Sequence, residues 1–200
     1  MADDLTDVAL SGLLPERATR IRDLIANIPD FPSPGVLFKD ITPLLADADG
    51  LADVVEAFVR LAQADDGDLA GGVDVVAGME ARGFLLGAPV AHALGLGFLP
   101  LRKAGKLPPP TQSVSYDLEY GSAAIELRSG TLTPGARVLI IDDVLATGGT
   151  AAAAAQLVEQ CGGVVAGLAF LLELDALHGR GRLRGHNVDT LLRVGIPSGD

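Results

Sequence analysis

VLIIDDVLATGGT, residues 138–150, sets three different environments side by side. Val138, Leu139, Ile140 and Ile141 form an apolar run of the kind that is buried on both faces of a parallel sheet. The run ends on Asp142 and Asp143, and GTAAAAAQLVEQCG (149–162) then reads as a helix. Ligands of parallel α/β sheets bind beyond the carboxyl ends of the strands, so the two aspartates are placed at the binding edge. A helix N-terminus offers unspent N–H groups and a positive dipole end. Gly148 and Gly149 let the backbone come close, while Thr147 and Thr150 add hydroxyl donors. Ala146, Thr147, Gly148, Gly149 and Thr150 are therefore expected to cradle a phosphate. The aspartates would repel that phosphate, so they must meet something else on the same ligand. Sugar hydroxyls are donors that two carboxylates accept, and a divalent cation could sit nearby. A solvated cap is the plain alternative for a bare Asp-Asp pair. The complete string instead favours a ligand with a phosphate at one end and a ribose diol in its middle. It has neither the lysine of a P-loop nor the spacing of GxGxxG.

The flanking sequence supports the same sheet. VDVVAGM (73–79), GFLPLRK (97–103), ARVLIID (136–142) and VVAGLAFLLEL (164–174) are apolar strand patterns separated by helical ones at 81–95 and 149–162. The expected fold is α/β, a central, mostly parallel sheet flanked by helices. Residues 1–15 read as a flexible acidic arm ahead of a single domain over 16–200. ERATRIRDLIAN (16–27) spaces Ile21, Leu24, Ile25 and Ile28 as one helical face, and a helix over 49–64 is expected to be capped by Asp49. IPDFPSPGVLFKDITPLL (28–45) is turn-rich, and SVSYDLEYG (113–121) with SAAIELRSG (122–130) predicts two strands joined at Gly121. A short helix near 175–184 and a strand over 188–196 follow.

Composition narrows the partners. With 26 acids against 15 Lys and Arg, the net charge is −11, a field that repels nucleic acid. Any anion site must then be built locally, from backbone N–H groups and a few placed cations. No apolar run is long enough to span a bilayer, and the acidic start MADDLTDVAL is unlike a signal peptide, so a cytoplasmic protein is expected. Cys161 is the single cysteine, which excludes an intrachain disulfide and reads as a small buried thiol. His92, His178 and His186 have no metal-ligand spacing.

VLIIDDVLATGGT resembles the phosphoribosyl-pyrophosphate (PRPP) motif of the type I phosphoribosyltransferases. FPSPGVLFKDITPLL, GMEARGF, LGLGFLPLRKAGKLPPPT, YDLEYG and LLEL are similar to successive blocks of the adenine phosphoribosyltransferase family, in order, over about residues 16–196. The resemblance implies a phosphoribosyltransferase-type fold with a small hood over about 16–45 and a mobile lid loop over about 102–120. It implies transfer of the phosphoribosyl group from PRPP to adenine, giving AMP and pyrophosphate, with Mg²⁺ carried by PRPP and no metal bound directly by the protein. Asp142 and Asp143 would hold the ribose. Glu80, Ala81 and Arg82 would hold pyrophosphate across a non-proline cis peptide at Glu80–Ala81, helped by Lys103 and Lys106 of the lid. Glu119 would be the catalytic carboxylate, acting with Arg82, and Tyr120 would complete the closed lid. Phe38 is assigned to stacking on the purine, with Val36 and Lys39 offering backbone groups to its edge, while Phe31 is assigned to the core. Many relatives carry Arg at the position of Lys39, a departure that matters little for a main-chain contact and more for a side-chain one. A homodimer follows from the family. The same chemistry on xanthine, hypoxanthine or guanine is the nearer alternative, and a PRPP-sensing regulator without turnover the more distant one.

Overall fold

The structure, a computed structural model, describes residues 5–10, 12–64, 72–117 and 121–195. Ten strands and five α-helices alternate along these residues. The strands are β1 (Leu5–Asp7), β2 (Ala26–Pro29), β3 (Leu37–Asp40), β4 (Val75–Met79), β5 (Gly97–Lys103), β6 (Thr111–Asp117), β7 (Ser122–Arg128), β8 (Arg137–Leu145), β9 (Val164–Leu174) and β10 (Val188–Val194). The helices are α1 (Pro15–Asp23), α2 (Thr42–Ala46), α3 (Ala48–Gln63), α4 (Arg82–Leu94) and α5 (Gly149–Gln160). The main sheet runs β1-β10-β9-β8-β4-β5-β7-β6, and β2 with β3 forms a separate antiparallel pair.

The five strands from β10 to β5 are mutually parallel, as their apolar runs predict; β1, β7 and β6 extend the edges in antiparallel fashion. Strand alternation divides the core into two layers. Val76, Leu139, Ile141 and Leu171 face α1, α3 and α4, whereas Ala77, Ile140, Leu168 and Phe170 face α5. The alanines of α5 serve that second layer, since Ala151, Ala153, Ala154 and Ala155 are all buried.

Connectivity fixes where a ligand can enter. β4 leads through α4 to β5 on one side, while β8 leads through α5 to β9 on the other. The adjacent strands β4 and β8 thus form the topological switch point. Their ladder stops at Gly78 and Ile141. Beyond it β4 stays with β5, Glu80 N–H donating to Leu101 O at 3.0 Å, and β8 stays with β9 as far as Leu145 opposite Glu173. β8 therefore ends three residues later than the expected Asp142, because β9 continues to supply partners that β4 does not.

Other boundaries also moved. The arm is not loose over its described residues: Leu5–Asp7 pair with β10, and Leu10 is buried. α1 stays with the main core through Ile21, and Arg17 Nε and Arg20 Nη1 reach the buried Asp53 of α3 at 2.5 and 2.7 Å. The 26–40 hairpin forms its own two-stranded sheet and carries Ile28 out of the helical face and into solvent. Asp47, not Asp49, caps α3 by accepting from Gly50 N–H at 2.7 Å. Residues 175–184 form two 3₁₀ segments, Asp175–Leu177 and Gly179–Leu183, in place of an α-helix. Cys161 is half-buried.

α4 lies unusually close to the sheet. A Cβ at Gly78 would stand 2.6 Å from Gly83 O and 2.8 Å from Phe98 Cζ, and one at Gly83 would stand 2.6 Å from Ile141 O. A Cβ at Gly87 would meet mainly the Phe98 ring, at 2.9 Å. Gly78→Ala is therefore expected to destabilise by about 1–3 kcal/mol, because backbone must move, and Gly87→Ala by less. Urea midpoints of the two variants check the order.

Candidate active site

The carboxyl ends of β4 and β8 separate, and the gap collects the chemistry. Asp143 is buried and Asp142 partly so. Burial raises the Asp142 carboxyl well above its usual range, and the neighbouring Asp143 charge adds to the rise. Burial also raises Asp143, against the opposing attraction of Arg82. Asp142 Oδ1 accepts from the Asp143 backbone N–H at 2.9 Å. Asp143 Oδ2 lies 2.5 Å from Arg82 Nε but receives no hydrogen bond of good geometry, which leaves a buried acceptor in want of a donor.

Four residues on from Asp142 the chain enters the segment read as an anion cradle, Ala146 to Thr150. Gly148 takes φ 79° as the N-cap of α5, and the helix begins at Gly149 as foreseen. No acid lies in its first turn. Ala146 to Thr150, with Met79, Asp142 and Phe170, line a cavity of about 90 Å³. A larger hollow of about 500 Å³ lies by Asp74 and Thr131–Ala136, at the amino ends of β4 and β8. Among the described residues, that edge carries neither helix N-terminus nor acid pair, so size does not mark the site.

Arg82 opens α4 and links three regions. Besides Asp143, its guanidinium stands 5.8 Å from the Phe38 ring centroid, beneath the hood. The Glu80–Ala81 peptide before it is cis, as the resemblance implied. Glu80 turns from Arg82 to the end of β5: it pairs with Arg102 Nε at 3.1 Å and accepts from Lys103 N–H at 2.7 Å. The Arg102 hydrogen bond, then the one from Lys103, hold its carboxyl below the usual range. Lys103 and Lys106 are exposed at the end of β5 and in the loop after it.

In the hood, Phe38 meets Phe31 edge to face with centroids 5.2 Å apart. Phe31 is half-exposed and so is not the core residue expected from its type, because the cis Phe31–Pro32 turn carries it to the hairpin's end. Val36 is exposed, and both its backbone groups are engaged within the turn: its N–H donates to Ser33 O at 3.2 Å and its carbonyl accepts from Phe31 N–H at 3.3 Å. Lys39 is buried, its ammonium donating to Asn27 Oδ1 at 2.7 Å across the hairpin. That contact occupies the side chain within the hood. Glu119 and Tyr120 lie outside the described residues.

Two supports escaped the sequence reading. Buried Glu126 of β7 accepts from Lys106 and Leu107 N–H at 2.9 and 2.8 Å and so fixes the loop after β5. Gly179 abuts the 146–148 turn, where a Cβ on it would stand 2.1 Å from Ala146 O. No local pattern marks either, since the partners lie about 20 and 33 residues away. Among the described residues, no group of three or more His, Cys, Asp or Glu is placed to hold a metal ion.

The family model for the phosphoribosyl transferase domain matches residues 49–196. The chain is 56% identical over 177 residues to an adenine phosphoribosyltransferase of Acidothermus cellulolyticus, covering 88% of this chain and 94% of that one. It superposes with a TM-score of 0.82 and 45% identity on the adenine phosphoribosyltransferase of Thermoanaerobacter pseudethanolicus, covering 88% of this chain and 99% of that one. The Saccharomyces cerevisiae enzyme, solved with adenine and an imino-altritol bisphosphate, matches with a TM-score of 0.83 and 39% identity over 89% and 99% of the two chains. On sequence and on fold alike, the chain belongs to the phosphoribosyltransferases and, among them, to the adenine phosphoribosyltransferase family.

Proposed function

We propose that this chain transfers the 5-phosphoribosyl group of PRPP to adenine, releasing AMP and pyrophosphate. One observation carries the assignment of roles. At a single switch point the chain sets a helix-N-terminal cradle, a buried acid pair with an acceptor in want of a donor, and a cation reaching an aromatic ring. Ala146 to Thr150 take the 5-phosphate on their backbone N–H groups. The ribose hydroxyls donate to Asp142 and Asp143, replacing Arg82 at Asp143 Oδ2 and freeing that guanidinium for the pyrophosphate. Backbone at Glu80 and Ala81 and the ammonium groups of Lys103 and Lys106 share the pyrophosphate charge. Phe38 stacks on adenine, and the backbone at Val36 and Lys39 reads its edge. At Val36 this requires the turn to open, because its own groups are engaged in it.

The bond from C1′ to the pyrophosphate oxygen breaks, the bond from N9 to C1′ forms, and the N9 proton leaves. No protein nucleophile is needed. The chain's contribution is to place charge where the sugar becomes cationic and to exclude water from it. Glu119 stabilises that charge and manages the proton, with Tyr120 closing the lid. Mg²⁺ carried by PRPP would neutralise part of the pyrophosphate charge, with no residue of the chain assigned to it. Among the described residues, no helix is long and apolar enough to cross a membrane. A cytoplasmic homodimer accompanies this reading by resemblance to the family.

Three experiments test it. AMP formation from PRPP across a purine panel should show adenine favoured over hypoxanthine, guanine and xanthine by at least about 100-fold in kcat/KM, and should vanish in EDTA. Comparable use of an oxo-purine would move the assignment to another base, and turnover in EDTA would remove the metal. Glu119→Ala should lower kcat by about 10²–10³-fold with the KM for adenine nearly constant; the opposite split would make it a binding residue. Asp143→Asn should raise the KM for PRPP by about 10–100-fold while thermal unfolding shows an intact fold. Unchanged kinetics there would remove the ribose role.

A further inference from the structure

The phosphate cradle is braced from outside by a segment with no part in the chemistry. A Cβ at Gly148 would stand 2.4 Å from Gly179 O, and one at Gly179 would stand 2.1 Å from Ala146 O and 3.0 Å from Gly148 N. Backbone therefore meets backbone, and the cradle cannot relax toward that side. The 3₁₀ segment Gly179–Leu183 is itself anchored by its second residue. Arg180 donates through Nε to Glu173 Oε1 at 2.9 Å, through Nη2 to Glu173 Oε2 at 2.6 Å, and through Nη1 to Val188 O at 2.5 Å. Glu173 is 5% exposed and lies opposite Leu145, the last residue of β8 before the cradle. Arg193 Nε at 3.2 Å and Thr190 Oγ1 at 3.4 Å also address Glu173 Oε2 and hold that carboxylate in place.

We infer that Glu173 and Arg180 are positioning residues for the 5-phosphate: their fork fixes Gly179 against Ala146 and Gly148 and so sets the N–H array that receives the anion. The inference rests on the reading of residues 146–150 as the phosphate site. A bidentate pair with a third bond to a carbonyl constrains both position and orientation, which a lysine ammonium cannot reproduce. Displacing a binding group slightly costs affinity without touching the reacting atoms.

The test compares AMP with adenosine, which lacks only the phosphate, as inhibitors competing with PRPP, each assayed well below the variant's unfolding temperature. The unaltered chain should bind AMP at least about 100-fold more tightly than adenosine. Arg180→Lys should narrow that ratio about tenfold by weakening AMP while the adenosine constant stays within about twofold. Glu173→Gln should act in the same direction, and it carries the measurement if Arg180→Lys does not fold. The double variant should be no worse than the poorer single one, as expected for two parts of one brace. Equal losses for AMP and adenosine, or an unchanged ratio in both variants, would overturn the positioning role and leave the phosphate site standing. An unaltered chain that binds adenosine as tightly as AMP would overturn the phosphate site itself.

Discussion

Between β4 and β8 the hydrogen-bond ladder ends at Gly78 and Ile141, and both strands continue with other partners. A sheet that parts in this way exposes backbone and side chains at one point on an otherwise buried edge. The first turn of α4 presses into the gap, with Gly83 against Ile141 O, so Arg82 emerges beside Asp143. On the other strand the six residues after Asp142 bring the chain round to the N-terminus of α5. Both helices approach the parting from opposite faces of the sheet, which is why one small region can hold a cation, two acids and a helix dipole together.

Charge explains why the site is so local. A chain of net charge −11 has no general attraction for a polyphosphate, so anion binding depends on dipoles and on a few cations held in fixed places. Two carboxylates raised by burial are unfavourable in isolation, and Arg82 offsets part of that cost. Carboxylates serve the same economy elsewhere. Partly buried Glu80 and buried Glu126 accept backbone N–H groups of the 103–107 loop, and buried Glu173 accepts the Arg180 fork behind residues 146–150. Each of the three acids holds a neighbouring loop in place.

Much of this was legible in the sequence where the signal was local. The apolar runs of β4, β5, β8 and β9, the double aspartate, the glycine pair and the alanine helix each state their role within a dozen residues, because strand burial, close backbone approach and helix propensity act at short range. Some local signals pointed to the wrong residue. Asp49 reads as the cap of α3, but the geometry after the 42–46 helix gives that place to Asp47. Phe31 has the composition of a core residue, yet the hairpin turn presents it to solvent beside Phe38.

The sequence by itself determined the fold class, the family and the chemical character of the central loop, since all three depend on residues that are neighbours in the chain. Only the tertiary structure decided that Leu5–Asp7 close the sheet edge, that Glu80 answers Arg102 in preference to Arg82, and that Gly179 supports Ala146 from a segment 33 residues further on. Those contacts join distant parts of the chain. Their partners are selected by which surfaces the packed sheet and helices bring within a few ångströms, a property that no stretch of sequence carries alone.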